Sequence, residues 1–234
     1  MKIGILQCGH SHPDVIAKHG DFDQMFIALL STSGFEFQTY NVVDMEFPDH
    51  VGAADGWLLT GSPHGAYETH AFIPPLTALI REIHTAKRPM VGICFGHQII
   101  AQAMGGTVEK YEGGWAIGQQ EYVFSDAFAH LGQVTLNAWH QDQVTRCPDG
   151  AKTIAQNAFC QHAGLIYGDE IFTLQAHPEI RNPILQEYIK ARGGDPALPK
   201  DLMAHAKSLQ ECPTDDLLLA EEIAQFFKKT QGAT

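Results

Sequence analysis

Residues 90–106 read MVGICFGHQIIAQAMGG, a pattern typical of a buried strand that turns sharply into a helix. Glycines stand two residues before and two residues after Cys94, and they permit the crowding that a tight, strained bend imposes. A thiol at such a bend points away from the sheet, and the dipole of the following helix favours its thiolate form. The alternative is an inert cysteine packed in the core, where free cysteines are common.

The segments before this turn predict strands and helices in alternation. Residues 1–6 and 35–40 are predicted strands, and a helix starting at Asp21 lies between them, which suggests a βαβ unit. Residues 56–60 form a short apolar run typical of a central parallel strand. Residues 73–86 have one apolar face at helical spacing.

The segments after the turn follow a different pattern. Short alternating runs without long helices between them predict a more antiparallel region, at residues 107–110, 119–124, 133–139 and 152–155. A buried strand is predicted at residues 171–176, and the chain from Asn182 onward is predicted to be helical. The chain as a whole is therefore expected to be a three-layer α/β fold with a largely parallel sheet.

The composition argues against a membrane-spanning protein and against a nucleic-acid-binding protein. The chain has 234 residues, of which 44% are hydrophobic and 18% charged, and no apolar run approaches the roughly 20 residues of a membrane span. The first residues look like a strand rather than a signal peptide, so a cytoplasmic location is expected. A net charge of -12 argues against nucleic-acid binding, which requires concentrated lysine and arginine.

Cysteine and histidine usage predicts neither a disulfide framework nor a metal or cofactor site. The five cysteines are odd in number and widely spaced, and they include no CxxC pair. The pair His10 and His12 has no carboxylates nearby at a recognisable ligand spacing.

A second motif supplies partners for the thiol. His177 and Glu179 follow the predicted strand at 171–176 and lie two residues apart, so in extended backbone their side chains leave on the same side. Pro178 between them keeps the preceding residue extended. His177 is the candidate base for Cys94 and Glu179 the group that orients it. For the histidine and glutamate alone, a solvated strand end is the alternative.

Four segments together closely resemble the class I glutamine amidotransferases. They are residues 58–63 (LLTGSP), 92–98 (GICFGHQ), 140–144 (HQDQV) and 177–179 (HPE). Within that family the chain looks most like stand-alone proteins related to the amidotransferase domain of GMP synthase, which include γ-glutamyl peptidases. The resemblance implies a flavodoxin-like domain over residues 1–182, with residues 183–234 as a helical extension packed on it.

The resemblance also implies roles for individual residues. Cys94 would form a γ-glutamyl thioester, with His177 as base and then acid. Backbone N–H groups of Ser62 and Phe95 would hold the negative oxygen, although family members often have a second glycine where this chain has Ser62.

Two further positions match substrate-binding residues of the family, Gly61 and Gln98. His140 and Asp142 match a recurrent family segment and are expected to be structural, without a catalytic role.

Three functions remain open at this stage. The favoured one is hydrolysis of the side-chain amide of glutamine or of a γ-glutamyl amide or peptide. The second is a glutaminase that delivers ammonia to a synthase, which would be a separate chain because no GxxxxGK[ST] loop occurs here. The third is a binding protein that keeps the fold without the chemistry. A homodimer is a further open alternative, and the physiological substrate is not predicted.

Overall fold

Residues 1–231, the part of the chain that the computed structural model describes, form eleven strands and seven helices. The strands are β1 (Lys2–Leu6), β2 (Glu36–Tyr40), β3 (Gly56–Leu59), β4 (Met90–Ile93), β5 (Thr107–Lys110), β6 (Ala116–Phe124), β7 (Gln133–His140), β8 (Asp142–Arg146), β9 (Ala151–Gln156), β10 (Gly164–Tyr167) and β11 (Ile171–Leu174). The helices are α1 (Pro13–His19), α2 (Phe22–Leu29), α3 (Ile73–Thr85), α4 (Phe95–Ala103), α5 (Asn182–Arg192), α6 (Lys200–Ser208) and α7 (Asp216–Gln231).

Nine of these strands form one sheet, in the order β2-β1-β3-β4-β11-β10-β9-β6-β7. The strands from β2 to β11 in that order run parallel, and those from β11 to β7 pair antiparallel. A separate antiparallel pair is formed by β5 and β8. The predicted α/β fold with a mostly parallel central sheet is confirmed, and the antiparallel strands extend it on one side.

Strand order brings the predicted site together. The neighbours β3, β4 and β11 are parallel, so their carboxyl ends lie at the same edge of the sheet. The chain that follows each of them carries Ser62, Cys94 and His177, respectively. Ligand sites in open parallel sheets gather at this edge.

Helices cover both faces of the sheet and give the fold its three layers. On one face, α3 and α4 bury Leu76, Ile80 and Ile99 against the strands. On the other face, α2 and α7 bury apolar side chains that include Phe26 and Phe227. Each side chain of this size contributes about 1.5–3 kcal/mol when it is fully buried.

The C-terminal helices pack on the same body as the rest of the chain. α5 contacts α1, α6 contacts β6, and α7 belongs to the main apolar cluster. The division at residue 182 itself stays a prediction. None of the helices in residues 1–231 is long and apolar enough to cross a membrane.

Two elements have no counterpart among the sequence predictions. α1 spans seven residues, begins at Pro13 and is capped by the His12 side chain, which accepts from the Asp14 N–H. A helix of two turns is too short to show an apolar period, so the pattern gave no signal. Residues 140–144 were matched to a family segment without a strand prediction, and β8 is a strand because it pairs with β5 in the separate two-stranded sheet.

Candidate active site

Cys94 forms the turn between β4 and α4. Its backbone has φ 54° and ψ −105°, a conformation that residues other than glycine rarely adopt. The N–H of Cys94 donates to the Leu174 carbonyl at 2.8 Å, and its carbonyl accepts from the Gln98 N–H at 3.0 Å. Strain of this kind costs about 1–3 kcal/mol and persists only where the surroundings fix it, as these hydrogen bonds do.

The two flanking glycines are required by close packing. A Cβ at Gly92 would lie 2.7 Å from the backbone of Gly96, and a Cβ at Gly96 would lie 2.4 Å from the Leu59 carbonyl oxygen. From the sequence, these glycines are expected to carry the strain of the bend. In the structure Cys94 itself carries the left-handed backbone, and the glycines let α4 approach β3.

His177 and Glu179 lie directly beside this turn. The backbone N–H of His177 donates to the Asn137 carbonyl at 2.9 Å, which connects the chain after β11 to β7. The Nδ1 atom of His177 lies 2.6 Å from Oε1 of Glu179, and the Cys94 side chain is near enough to act on the pKa of the same imidazole. The structure thus brings the three predicted catalytic side chains into one row.

The electrostatics of this row favour a charged imidazole. Burial alone would lower the pKa of His177, because it disfavours the imidazolium. Interactions with the Glu179 and Cys94 side chains act in the opposite direction, and together they raise the pKa of His177 well above its usual value. His177 is 4% exposed and Glu179 is 1% exposed, so water screens the interaction little.

A cavity of about 170 Å³ opens beside the Cys94 side chain. It is lined by His10, Ser11, His12, Phe22, Ser62, Pro63, Cys94, Trp139, His177, Ile180, Tyr188 and Arg192. Aromatic and aliphatic side chains form part of the wall, and histidine, serine and arginine supply polar groups, as is common for small-molecule sites.

The residues predicted to hold the negative oxygen flank the thiol. Ser62 lines the cavity, and Phe95 is the first residue of α4, where an N–H has no partner within the helix. The next N–H, that of Gly96, donates to the Thr60 carbonyl at 3.1 Å and is therefore engaged. Gly61 lies close to the base, since a Cβ there would be 3.2 Å from Cε1 of His177.

Gln98 is not among the residues that line this cavity. Its side-chain amide donates to the Asp142 carbonyl at 2.8 Å and to Oε1 of Gln175 at 3.0 Å, and the residue is buried. In this structure Gln98 therefore connects α4 to β8 and to the chain that follows β11.

His140 lies behind the row as a neutral imidazole. Burial, together with nearby His177, lowers its pKa to about 3. Its Nδ1 atom lies 3.2 Å from the Asp142 carbonyl oxygen. A neutral ring here places no second positive charge beside His177.

Several residues that line the cavity were not predicted from the sequence. Tyr188, on α5, contacts the Ser11 hydroxyl through its own hydroxyl and packs on Trp139 with ring centroids 5.4 Å apart. Nothing in the sequence near residue 188 marks it, because its partner is far away along the chain. The loop at His10 did carry a signal, since it follows β1 at the carboxyl edge of the sheet.

His10 has two carboxylate partners that lie far from it in the sequence. The sequence shows no carboxylate at ligand spacing near it, yet its Nδ1 lies 2.6 Å from Asp21 and its Nε2 lies 2.9 Å from Asp44. The hydrogen bond with Asp21 is the main cause that raises the pKa of His10.

Comparison with known proteins gives a consistent result. The family model for class-I glutamine amidotransferase matches residues 18–190. γ-Glutamyl peptidase 3 of Arabidopsis thaliana is 27% identical over 223 residues, which cover 90% of each chain. The glutamine-hydrolysing GMP synthase of Aromatoleum aromaticum is 32% identical over 205 residues, which cover 82% of this chain and 36% of that protein.

A crystal structure of a glutamine amidotransferase from Thermotoga maritima matches the fold. The TM-score is 0.76 at 20% identity, over 98% of this chain and 97% of the other. The family match covers well over half of the residues, and the fold agrees with it. The chain belongs to the class-I glutamine amidotransferase family.

Proposed function

We propose that the protein hydrolyses the side-chain amide of glutamine, or of a γ-glutamyl amide or peptide, through a thioester on Cys94. One observation carries the proposal: the row of Cys94, His177 and Glu179 lies beside a cavity at the carboxyl edge of the sheet. Such a row of nucleophile, base and orienting carboxylate is suited to amide hydrolysis through a covalent intermediate.

The first half-reaction forms the thioester. The Cys94 thiolate attacks the amide carbon, and the oxygen of the resulting tetrahedral intermediate accepts from the N–H groups of Phe95 and Ser62. His177, protonated at the outset, gives its Nε2 proton to the leaving nitrogen. The carbon–nitrogen bond then breaks and releases ammonia or an amine.

The second half-reaction returns the enzyme to its starting state. Neutral His177 removes a proton from water, and the hydroxyl attacks the thioester carbon. The carbon–sulfur bond breaks, Cys94 is again a thiolate beside an imidazolium, and the product leaves as a γ-carboxylic acid that loses its proton to solvent. Glu179 keeps Nδ1 of His177 protonated throughout, so that Nε2 is the atom that exchanges protons.

Two relatives support two different candidate functions. The Arabidopsis γ-glutamyl peptidase aligns over 90% of both chains, which supports a free-standing hydrolase as the first candidate. The GMP synthase relative aligns over only 36% of its own length, which supports, as the second candidate, a glutaminase that delivers ammonia to a separate synthase chain. A cytoplasmic location and a homodimer stay predictions.

Hydrolysis assays on the purified chain separate these candidates. We expect it to release glutamate from a γ-glutamyl dipeptide or from glutamine without any partner, and we expect Cys94→Ala to be inactive. Activity that appears only when a synthase is added would favour the second candidate. Unchanged hydrolysis by Cys94→Ala would contradict the proposed nucleophile.

Alkylation tests the non-catalytic alternative independently of the substrate. Iodoacetamide should modify Cys94 faster than the exposed Cys212, although Cys94 is only 6% exposed. Cys8 is fully buried, and burial raises the pKa of its thiol, so it serves as the unreactive reference. If Cys94 reacts no faster than Cys212, the protein is a binding protein that keeps the fold without the hydrolytic activity.

A further inference from the structure

The loop between β3 and α3 carries a cluster of metal-ligating side chains apart from the row of Cys94, His177 and Glu179. Nε2 of His70 lies 2.7 Å from Oε2 of Glu68, and Nδ1 of His64 lies 3.9 Å from the same oxygen. One ligating atom from each of the three residues lies within 4.8 Å of the other two. Neither the sequence motifs nor the proposed hydrolysis accounts for this cluster.

The cluster rests on a buried support. The ring of His70 stacks on Phe72 with centroids 5.9 Å apart and an interplanar angle of 22°, and the ring of His64 lies 5.8 Å from the same phenylalanine. Phe72 is 3% exposed and packs in turn on Phe95, the residue after the nucleophile. The His70 ring is therefore stacked on a buried side chain, and the His64 ring lies tilted against the same side chain, which limits the conformational entropy lost on binding.

The distances suit a small divalent ion. Zinc binds histidine nitrogen and carboxylate oxygen at about 2.0–2.2 Å, so ligand atoms in a tetrahedral site lie about 3.3 Å apart. The observed separations of 2.7 and 3.9 Å from the Glu68 oxygen bracket that value. The side chains of His64, Glu68 and His70 are 32%, 45% and 37% exposed, so small adjustments meet little resistance.

We propose that His64, Glu68 and His70 bind a divalent transition-metal ion of the zinc class, with water as the fourth ligand. Two histidines and a glutamate with one open position form a known zinc ligand set. The ion would tie His64 to His70 across the turn that precedes α3. The backbone N–H of His64 donates to Oγ of Ser62 at 3.1 Å. The ion would therefore also restrain the loop that carries a predicted oxyanion donor.

Metal binding to the full chain without a polyhistidine tag tests this proposal, and its readout does not depend on hydrolysis. Equilibrium dialysis with Zn²⁺ should give one ion per chain. His70→Ala and Glu68→Gln should each weaken binding by at least about 10-fold. The matched control is His130→Ala, because His130 is exposed and pairs with Glu222 away from this loop, and its affinity should equal that of the wild type.

Co²⁺ distinguishes this site from binding to a thiol. The wild-type protein should show visible absorption of tetrahedral cobalt without the near-ultraviolet charge-transfer band of a cobalt thiolate. A thiolate band, no bound ion, or equal affinity in His70→Ala and the wild type would overturn the proposal. Unchanged circular dichroism of the variants would show that lost binding reflects lost ligands rather than unfolding.

Discussion

Nδ1 of His177 lies 2.6 Å from Oε1 of Glu179, and both side chains are buried beside the Cys94 thiol. At that distance the carboxylate both orients the imidazole and favours its protonated form. The pKa of His177 is higher in the folded chain than in the unfolded one. Its contribution to stability is therefore fully present below about pH 6.5 and is lost as the pH rises through the raised value.

Replacing the carboxylate tests this relationship. In Glu179→Gln, kcat should fall by about 10²–10⁴-fold, because the base loses its orientation. The pKa of His177 should fall as well, since the neighbouring charge that raises it is gone. The measurement is the pH profile of kcat/KM together with ¹⁵N NMR of the histidine side chains.

The control for this variant is Glu187→Gln. Glu187 pairs with Lys18 in a solvent-accessible salt bridge, and the same change of side chain there should leave the profile unmoved. If Glu179→Gln keeps the wild-type pH profile, Glu179 does not set the charge of His177.

The glycine at position 96 gives a steric prediction. A Cβ at Gly96 would lie 2.4 Å from the Leu59 carbonyl oxygen, so Gly96→Ala forces α4 away from β3. We expect a loss of about 1–3 kcal/mol in the free energy of unfolding, and a fall in activity as Cys94 shifts.

Urea unfolding measures the loss, with Gly194→Ala as the control because a Cβ there meets nothing within 4 Å. The control should stay within about 0.5 kcal/mol of the wild type. Equal stability of the two variants would mean that the turn tolerates a side chain at position 96.

A substitution of Gln98 distinguishes a structural role from direct contact with the substrate. Gln98→Leu removes the donors to the Asp142 carbonyl and to Oε1 of Gln175. The Asp142 carbonyl keeps Nδ1 of His140 nearby, whereas Gln175 is fully buried, and a buried acceptor left without a partner costs about 1–3 kcal/mol. The free energy of unfolding should therefore fall by at least that amount, as measured by urea titration. Gln38→Leu, at an exposed position on β2, is the control. Unchanged stability with a raised KM would instead make Gln98 a direct substrate contact.

The contact between the Tyr188 and Ser11 hydroxyls predicts energetic coupling between α5 and the loop after β1. Tyr188→Phe and Ser11→Ala should each destabilise the protein by about 1 kcal/mol. The double variant should lose less than the sum, because both changes remove the same hydrogen bond. Thermal or urea unfolding of all four proteins provides the cycle. Strict additivity would show that the two hydroxyls are not coupled.

How much of the site could be predicted depended on where each residue lies along the chain. Cys94 directly follows the strand at 90–93, and His177 directly follows the strand predicted at 171–176, which in the structure ends at Leu174, so local pattern identified both as candidate site residues. Their meeting at one edge of the sheet follows from the strand order. Tyr188 could not be found in this way, since it contacts a residue 177 positions away. Gln98 was assigned from the resemblance alone, and sequence does not reveal which groups its amide meets inside the fold.

The same distinction applies to the fold. A strand at residues 56–60 and a strand leading into Cys94 were predicted from continuous apolar runs, because burial on both faces leaves that pattern. They correspond to β3 and β4 of the structure. The seven-residue helix α1 was missed because it is too short to show an apolar period. The strand β8 depends on its partner β5, and pairing partners are set by the fold rather than by local pattern.

Trapping the covalent intermediate tests the central claim most directly. The wild-type chain and Cys94→Ala are mixed with a γ-glutamyl dipeptide, quenched in acid, digested and analysed by mass spectrometry. We predict that the wild type carries one glutamyl group on the peptide that contains Cys94, and that the variant carries none. Hydrolysis of the dipeptide with an adduct on another residue, or an equal rate in Cys94→Ala, would contradict the thioester mechanism.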